Sequence, residues 1–301
     1  MGSFECAGHA DNRLFNAVEN QGERMKQYHL SGNYVEVVLG ANRGPDFVGI
    51  GVQKSGTTWA GEILVQHPKV LIQKKEISFF IHHFHRGYDW YEKWFQGRGD
   101  GIAGEFSVNY FYSPRPESDR KEFYPKWNPR RKLLFWRNNP SARDELKRHY
   151  PKVKVLVFFR NPVQRAWSHY WFWRNRRERN RKSIVPFQQM FKEDGRWLRL
   201  QGHYADLLSH WRQSFPDLGV FLFDDIRERP VALAKELFEF VGVDPDFNPV
   251  FPGVVKPGRY PSMPEEIREN VIEYYREQVI RFAAMIGRDL DHWLVIKDGV
   301  A

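Results

Sequence analysis

One short stretch, residues 47–59, constrains the fold of this chain more than any other. Residues 47–50 are an apolar run that is typical of a buried strand. The next turn is bounded by Gly51 and Gly56, and it leads into a segment whose apolar residues have helical spacing. A glycine turn that enters a helix presents backbone N–H groups and the positive end of the helix dipole. The stretch therefore predicts a strand, a loop and a helix that together bind an anion.

The side chains of this loop narrow the kind of anion. Gly51 and Gly56 have the spacing of the P-loop of kinases and GTPases, and Thr58 occupies its Ser/Thr position. Thr57, however, stands where the P-loop has its lysine, and the only lysine of the loop is Lys54. Kinases and GTPases use that lysine on the β- and γ-phosphates. The loop thus favours one terminal phosphate over a triphosphate, and the alternative is a turn that merely joins strand to helix.

Composition bounds the class of protein. The chain has 301 residues, of which 42% are hydrophobic, which suffices for one large α/β domain or two small ones. A net charge of +9 indicates an anionic partner, such as a nucleic acid, a membrane surface, an acidic polymer or a charged nucleotide. A single cysteine, Cys6, excludes an internal disulfide and indicates a reducing compartment. No apolar run is long enough to span a membrane and the N-terminus is polar, so we expect a cytoplasmic protein.

Apolar runs and helical periodicity alternate along most of the chain. Further short strands are predicted at residues 69–72, 153–159 and 220–223, with a strand or loop at 105–111. Helices are predicted at residues 142–149, 197–215, 231–241 and 267–286. This alternation predicts an α/β fold, a single domain whose central parallel sheet is flanked by helices.

The first 46 residues are expected to form an N-terminal extension to a domain over residues 47–301. Leu14, Phe15, Val18 and Met25 suggest one helix, and residues 34–39 suggest a strand. The pattern assigns this extension no role.

A second informative stretch, residues 160–170, ends another predicted strand. Arg160 precedes Asn161 and Pro162, which are typical of the cap and the first residue of a helix. A guanidinium beside a helix N-terminus suits an anion, and Ser168 lies two turns farther along the helix. Taken alone, Arg160 is better explained as a surface arginine and Ser168 as a serine on a helix face. Both loops, however, leave the carboxyl ends of parallel strands, where α/β proteins bind ligands.

Together the two stretches resemble the sulfotransferases, whose sulfuryl donor is 3′-phosphoadenosine 5′-phosphosulfate (PAPS). Their 5′-phosphosulfate loop is similar to the run Lys54-Ser55-Gly56-Thr57-Thr58. Their 3′-phosphate site is similar to Arg160-Asn161-Pro162 followed by Ser168. The resemblance implies the P-loop-NTPase-like sulfotransferase fold, PAPS as donor, 3′-phosphoadenosine 5′-phosphate (PAP) as product, and no metal.

The likeness extends to residues 47–285 and is nearest in motif to the glycan-modifying sulfotransferases. Their Glu-x-x-Phe-Phe segment resembles residues 76–80, and the stretch of those enzymes just after it resembles residues 87–95. Residues 202–216 resemble a later helix of the family, and residues 256–259 resemble its nucleotide-clamping loop. Two departures stand against glycan specificity. Ser78 replaces a histidine found in some of these enzymes, and their paired cysteines are missing.

The resemblance implies a role for each residue of the site. Lys54 would stabilise the bridging and leaving oxygens, and Glu76 would act as the general base. The nucleotide-binding residues that it implies are Lys54, Ser55, Gly56, Thr57, Thr58, Trp59, Arg160, Ser168, Tyr204, Lys256, Gly258 and Arg259. Another branch of the family uses a histidine, so the alternative bases are His82, His83 and His85.

The acceptor stays open at this point. A hydroxyl-bearing sugar, lipid, alcohol or phenol fits the resemblance, and an amine also stays open. The basic run 174–182 beside Trp171 and Trp173 would suit an anionic or aromatic acceptor, although such runs are commonly a solvated helix face. Two other functions compete: a nucleic-acid-binding protein, suggested by the charge, and a nucleotide kinase with an atypical P-loop. The sequence contains no recognised nucleic-acid-binding motif, so we expect no nucleic-acid partner. The kinase alternative is weakened because the loop lacks the Walker lysine.

Overall fold

The computed structural model describes residues 14–20, 23–30, 33–39, 44–112, 141–193, 198–252 and 260–295. The chain divides into two compact units, residues 1–44 and residues 45–301. Within the described ranges, no helix combines the length and the apolar character that a membrane span requires.

In the first unit, the described residues form a three-stranded antiparallel sheet in the order β1-β2-β3. Its strands are β1 (Leu14–Asn20), β2 (Glu23–Leu30) and β3 (Asn33–Leu39). The predicted helix through Leu14 and Met25 is therefore wrong, whereas the strand predicted at residues 34–39 is confirmed. Two short connections, each ending in a glycine in the sequence, separate the strands and are the usual hairpin signal. Pairing of β2 on both sides outweighs a weak helical periodicity.

Five parallel strands form the sheet of the second unit, in the order β5-β6-β4-β7-β8. These are β4 (Phe47–Gly51), β5 (Val70–Leu71), β6 (Ile102–Phe106), β7 (Lys154–Phe159) and β8 (Gly219–Leu222). The central strand β4 pairs Gly49 with Phe106 of β6 on one side and with Leu156 of β7 on the other. The predicted α/β class with a central parallel sheet is confirmed.

Helices connect these strands and flank the sheet. They are α1 (Thr57–Leu64), α2 (Tyr88–Glu92), α3 (Ala142–His149), α4 (Pro162–Arg179), α5 (Phe187–Glu193), α6 (Tyr204–Arg212), α7 (Phe223–Glu228), α8 (Pro230–Val241) and α9 (Glu265–Ile286). A π-helical turn spans Phe79–His83, and 3₁₀ turns span Phe84–Arg86, Lys93–Phe95, Leu200–Gly202 and Asp291–Leu294.

Both faces of the sheet are covered. Alternate residues of β7 enter two different hydrophobic clusters, Val155, Val157 and Phe159 in one, Leu156 and Phe158 in the other. This period of two is what a strand buried on both faces requires. The loops at the carboxyl ends of the strands are thereby left as the place for ligands.

Candidate active site

The loop between β4 and α1 is the stretch that was predicted to bind an anion. Gly56 caps α1 with a φ of 95°, a left-handed conformation that favours glycine. No side chain caps this helix, and the first N–H groups of a helix have no partner within it. A Cβ on Gly56 would lie 2.5 Å from Cδ1 of Ile226. The loop therefore packs closely at glycine and keeps backbone donors for an oxyanion.

Two buried polar atoms at this edge of the sheet fit a phosphorylated ligand. Within the described ranges, Oγ of Ser55 and Nε of Arg160 are buried and have no hydrogen-bond partner. Buried polar atoms in native proteins nearly always have one. Both atoms can donate a hydrogen bond, and phosphate oxygens accept them. Burial lowers the pKa of Arg160, but a guanidinium stays protonated in proteins.

Arg160 brings the two predicted phosphate loops together. It follows β7, the parallel neighbour of β4, and its Nη1 lies 3.5 Å from the carbonyl oxygen of Lys54. Its guanidinium carbon lies 4.4 Å from the ring centroid of Phe223 at the start of α7. The hydroxyl of Tyr204 donates to the Arg160 carbonyl at 2.8 Å, so Tyr204 supports the end of β7.

The remaining predicted nucleotide residues have different surroundings. Asn161 caps α4, because its side chain accepts hydrogen bonds from the N–H groups of residues 163 and 164. Ser168 is buried on the same helix. The side chain of Trp59 belongs to the core and stacks on Phe251. The predicted clamp residues Lys256, Gly258 and Arg259 lie outside the described residues.

Glu76 lies at the carboxyl end of the neighbouring strand β6. Its N–H donates to the carbonyl of Phe106 at 2.9 Å, and its φ of 61° is left-handed. The side chain is exposed. Nζ of Lys75 lies 2.5 Å from Oγ1 of Thr58, which ties this segment to the first turn of α1. The candidate base is thus next in sequence to a residue that contacts the anion loop.

The three alternative bases come after Glu76, in the π-helical turn and the adjoining 3₁₀ turn. His82 and His85 are exposed, and His83 is half-buried against the ring of Trp90, with centroids 5.3 Å apart. Partial desolvation by neighbouring atoms lowers the pKa of both His82 and His83, although the surface of the His82 side chain is open to solvent. Both side chains are therefore neutral near pH 7, as a base must be.

Two residues of α4 that border Lys54 were not predicted. Nζ of Lys54 lies 5.1 Å from the ring centroid of the exposed Phe172. One turn earlier, burial and then the charges of Arg165 and Lys54 lower the pKa of the buried His169 to about 3. Residues 165, 168, 169 and 172 have the i, i+3, i+4, i+7 spacing of one helix face. That spacing is the signal that could have found them.

Beyond Phe172, a pocket opens on the surface of α4. Phe172 lines an open pocket of about 530 Å³ with Asn175, Glu178 and Arg179. Within the predicted basic run, the guanidinium of Arg174 lies over Trp171. No group of three or more metal-ligating side chains occurs in the part of the chain that the structure describes.

Comparison with known proteins gives one family. The family model described as sulfotransferase domain matches residues 44–281. The chain is 25% identical to the human bifunctional heparan sulfate N-deacetylase/N-sulfotransferase 3 and 23% identical to the mouse protein, over 84% of this chain in each case. It spans only 31% of the length of these relatives. It is also 21% identical to the membrane-associated sulfotransferase kil1 of Dictyostelium discoideum, over 81% of this chain and 66% of that protein.

A solved structure has the same fold. The crystal structure of a sulfotransferase from Alicyclobacillus acidocaldarius superposes with a TM-score of 0.62 at 26% identity. The superposition covers 83% of this chain and 98% of the bacterial protein.

Proposed function

The chain belongs to the sulfotransferase family, and we propose that this enzyme moves a sulfuryl group from PAPS to the hydroxyl of a sugar, a lipid, or a small-molecule alcohol or phenol. The observation that carries the choice of donor is the approach of Arg160 to the carbonyl of Lys54. This contact between the two phosphate-type loops supports the binding of one nucleotide that bears a phosphate at each end of its ribose. One buried donor without a partner in each loop, among the described residues, supports the same choice.

Each loop has a separate task in this proposal. PAPS, when bound, supplies an activated sulfuryl group with a nucleotide phosphate as its leaving group. Ser55, Thr57 and the backbone donors at the start of α1 hold the 5′-phosphate. Arg160 and Ser168 hold the 3′-phosphate, as a guanidinium and a hydroxyl commonly do. Lys54 stabilises negative charge on the leaving oxygen.

Glu76 removes the proton of the acceptor in this proposal. Its exposed carboxylate is open to an incoming acceptor, and the contact between Lys75 and Thr58 brings its segment to the donor loop. A positioned carboxylate that takes a proton in the transition state is general-base catalysis. The residues that hold the donor and the residue that deprotonates the acceptor therefore come from different strand ends.

A calorimetric comparison of PAP with AMP tests the donor. We expect PAP to bind at least about tenfold more tightly, because each charge-assisted hydrogen bond to the 3′-phosphate contributes about 1.5–3 kcal/mol. Arg160→Ala should remove most of this difference, whereas Arg148→Ala, an exposed arginine on α3, should leave it unchanged. Equal affinities of the wild-type enzyme for PAP and AMP would contradict the donor assignment.

Glu76→Gln tests the base. Loss of a general base typically lowers turnover by about 10²–10⁴-fold, while the affinity for PAP should stay the same. Alanine variants of His82, His83 and His85 should turn over more nearly normally. If one histidine variant is inactive while Glu76→Gln turns over like wild type, that histidine is the base.

A further inference from the structure

The backbone N–H groups of the two residues after Glu76 donate hydrogen bonds to buried side chains. The N–H of Ile77 donates to Oε2 of Glu105 at 3.1 Å. The N–H of Ser78 donates to Oγ of Ser107 at 2.8 Å, and that hydroxyl in turn donates to Oε2 of Glu105. Both amides therefore depend on one carboxylate, the first directly and the second through a single hydroxyl.

Two tyrosines occupy the other oxygen of Glu105. The hydroxyls of Tyr91 and Tyr110 lie 2.7 and 3.2 Å from Oε1. The Tyr110 oxygen also accepts the N–H of Phe80 at 3.4 Å, so its proton is available for Glu105. Four donors thus meet a carboxyl group with no exposed surface. An ionised carboxylate accepts all four. Burial raises the pKa of Glu105, and these four hydrogen bonds oppose that rise by stabilising the ionised form.

The backbone of this segment needs such support. Glu76 and Ser78 have φ values of 61° and 51°, and neither is glycine. Left-handed conformations of residues with a Cβ persist only where the surroundings hold them in place. Here the holding groups are the Phe106 carbonyl, which accepts from Glu76, and the Glu105 network, which accepts from the next two amides.

We propose that Glu105 is a positioning residue for sulfuryl transfer. Its buried carboxylate holds residues 77 and 78 through two hydrogen-bonded connections, and thereby keeps Glu76 in the conformation from which it deprotonates the acceptor. The inference rests on the proposed role of Glu76. Glu105 is fully buried, so it does not touch the acceptor and acts only through Glu76.

Glu105→Gln tests the inference with little change of shape. The new amide group would face a donor, so at least one of the four bonds is lost. We expect kcat to fall by about 10²-fold, since a small misplacement of a reacting group costs that much, while PAP affinity and the KM for PAPS stay unchanged. Glu145→Gln is the control, because Glu145 is another buried carboxyl, and its partners include Tyr88, Arg148 and His149. It should keep wild-type kcat.

The double variant Glu76→Gln/Glu105→Gln distinguishes a role of Glu105 in positioning Glu76 from a general effect of Glu105 on the stability of the protein. Once Glu76 has lost its carboxylate, Glu105 has no base to position, so the double variant should turn over as fast as Glu76→Gln alone. Independent, multiplicative losses would overturn the proposal, and so would a wild-type kcat for Glu105→Gln. Should Glu105→Gln fail to bind PAP, Ser107→Ala serves in its place, because it removes the acceptor of the Ser78 amide. Normal turnover of the single variant Glu76→Gln would instead show that Glu76 is not the base. That result concerns the proposed function and is measured without any change at Glu105.

Discussion

The surroundings of Lys54 suit a residue that stabilises negative charge formed during a reaction. Its ammonium lies over the face of Phe172 and beside His169, an imidazole that stays neutral because its pKa is about 3. A contact between a cation and an exposed ring is worth only about 0.5–1 kcal/mol. A negative charge on a leaving oxygen attracts this ammonium group more strongly than the ring does.

Lys54→Ala should lower turnover more than it lowers affinity for the product. We expect kcat to fall by about 10²–10³-fold, the usual effect of removing one donor to a developing oxyanion. PAP affinity should fall much less, since the leaving oxygen gains charge mainly in the transition state. Product formation and calorimetry measure the two effects. Lys69→Ala, an exposed lysine paired with Asp100, is the control, and a wild-type kcat for Lys54→Ala would show that Lys54 has another role.

At the scale of elements, the start of α1 depends on one backbone conformation. Gly56 has a φ of 95°, and α7 packs directly against it through Ile226 and Phe223. Gly61, in the interior of the same helix, has only ordinary contact with Phe106, 3.8 Å from the position of a Cβ. The two glycines thus allow a matched pair of substitutions.

Gly56→Ala should destabilise the protein by about 1–3 kcal/mol, because alanine is strained at this φ, and should weaken PAP binding as the loop shifts. Gly61→Ala should leave PAP binding unchanged and raise the free energy of unfolding by up to about 1 kcal/mol, since glycine is unfavourable inside a helix. Urea unfolding and calorimetry measure both. Equal effects of the two changes would show that the conformation of Gly56 is unimportant.

Elements with local signals were predictable from the sequence. The start of α4 was predicted because Asn161 and Pro162 carry its cap and first turn in two adjacent residues. The anion loop was predicted because its two glycines and its lysine also lie close together in the sequence. The helix predicted over residues 197–215 begins only at Tyr204, because residues 200–202 form a 3₁₀ turn packed against Tyr275, a residue distant in sequence.

The hydrogen-bond network around Glu105 was not predictable, because it joins residues that are far apart in the chain. Glu105 lies 28 residues after Ile77, whose amide it accepts, and its other partners include Tyr91. Neither the period of a strand nor a motif records such a network. The sequence therefore indicated Glu76 through resemblance, but gave no sign of what holds it.

At the scale of the whole molecule, stability should depend on pH through His169. Its pKa is about 3 in the folded protein, lowered by burial and by nearby positive charge, against 6.5 for an ordinary histidine. Between these values the unfolded chain binds a proton that the folded protein does not. The stabilising effect of a neutral His169 is therefore complete above pH 6.5 and is lost as the pH falls towards 3.

Unfolding experiments on wild type and His169→Gln should reveal this dependence. From pH 6.5 to pH 5, the wild type should lose up to about 2 kcal/mol relative to the variant, at about 1.4 kcal/mol per pH unit. Comparing the two proteins cancels the contribution of all other titrating groups. Parallel curves over this range would show that His169 is not buried as a neutral group.

The ring of Phe223 adjoins both phosphate loops, since Arg160 stacks on it and a Cβ on Gly56 would come within 3.1 Å of it. The next residues of α7 are held in turn, Asp225 by Arg229 and Arg288, and Asp224 by Trp293. On the proposed function, this shared packing sets the separation of the two anion sites, so that a nucleotide is selected by the distance between its phosphates as well as by their number. ADP has as many phosphates as PAP but carries them in a row, so common nucleotide diphosphates should be poor competitors for this enzyme.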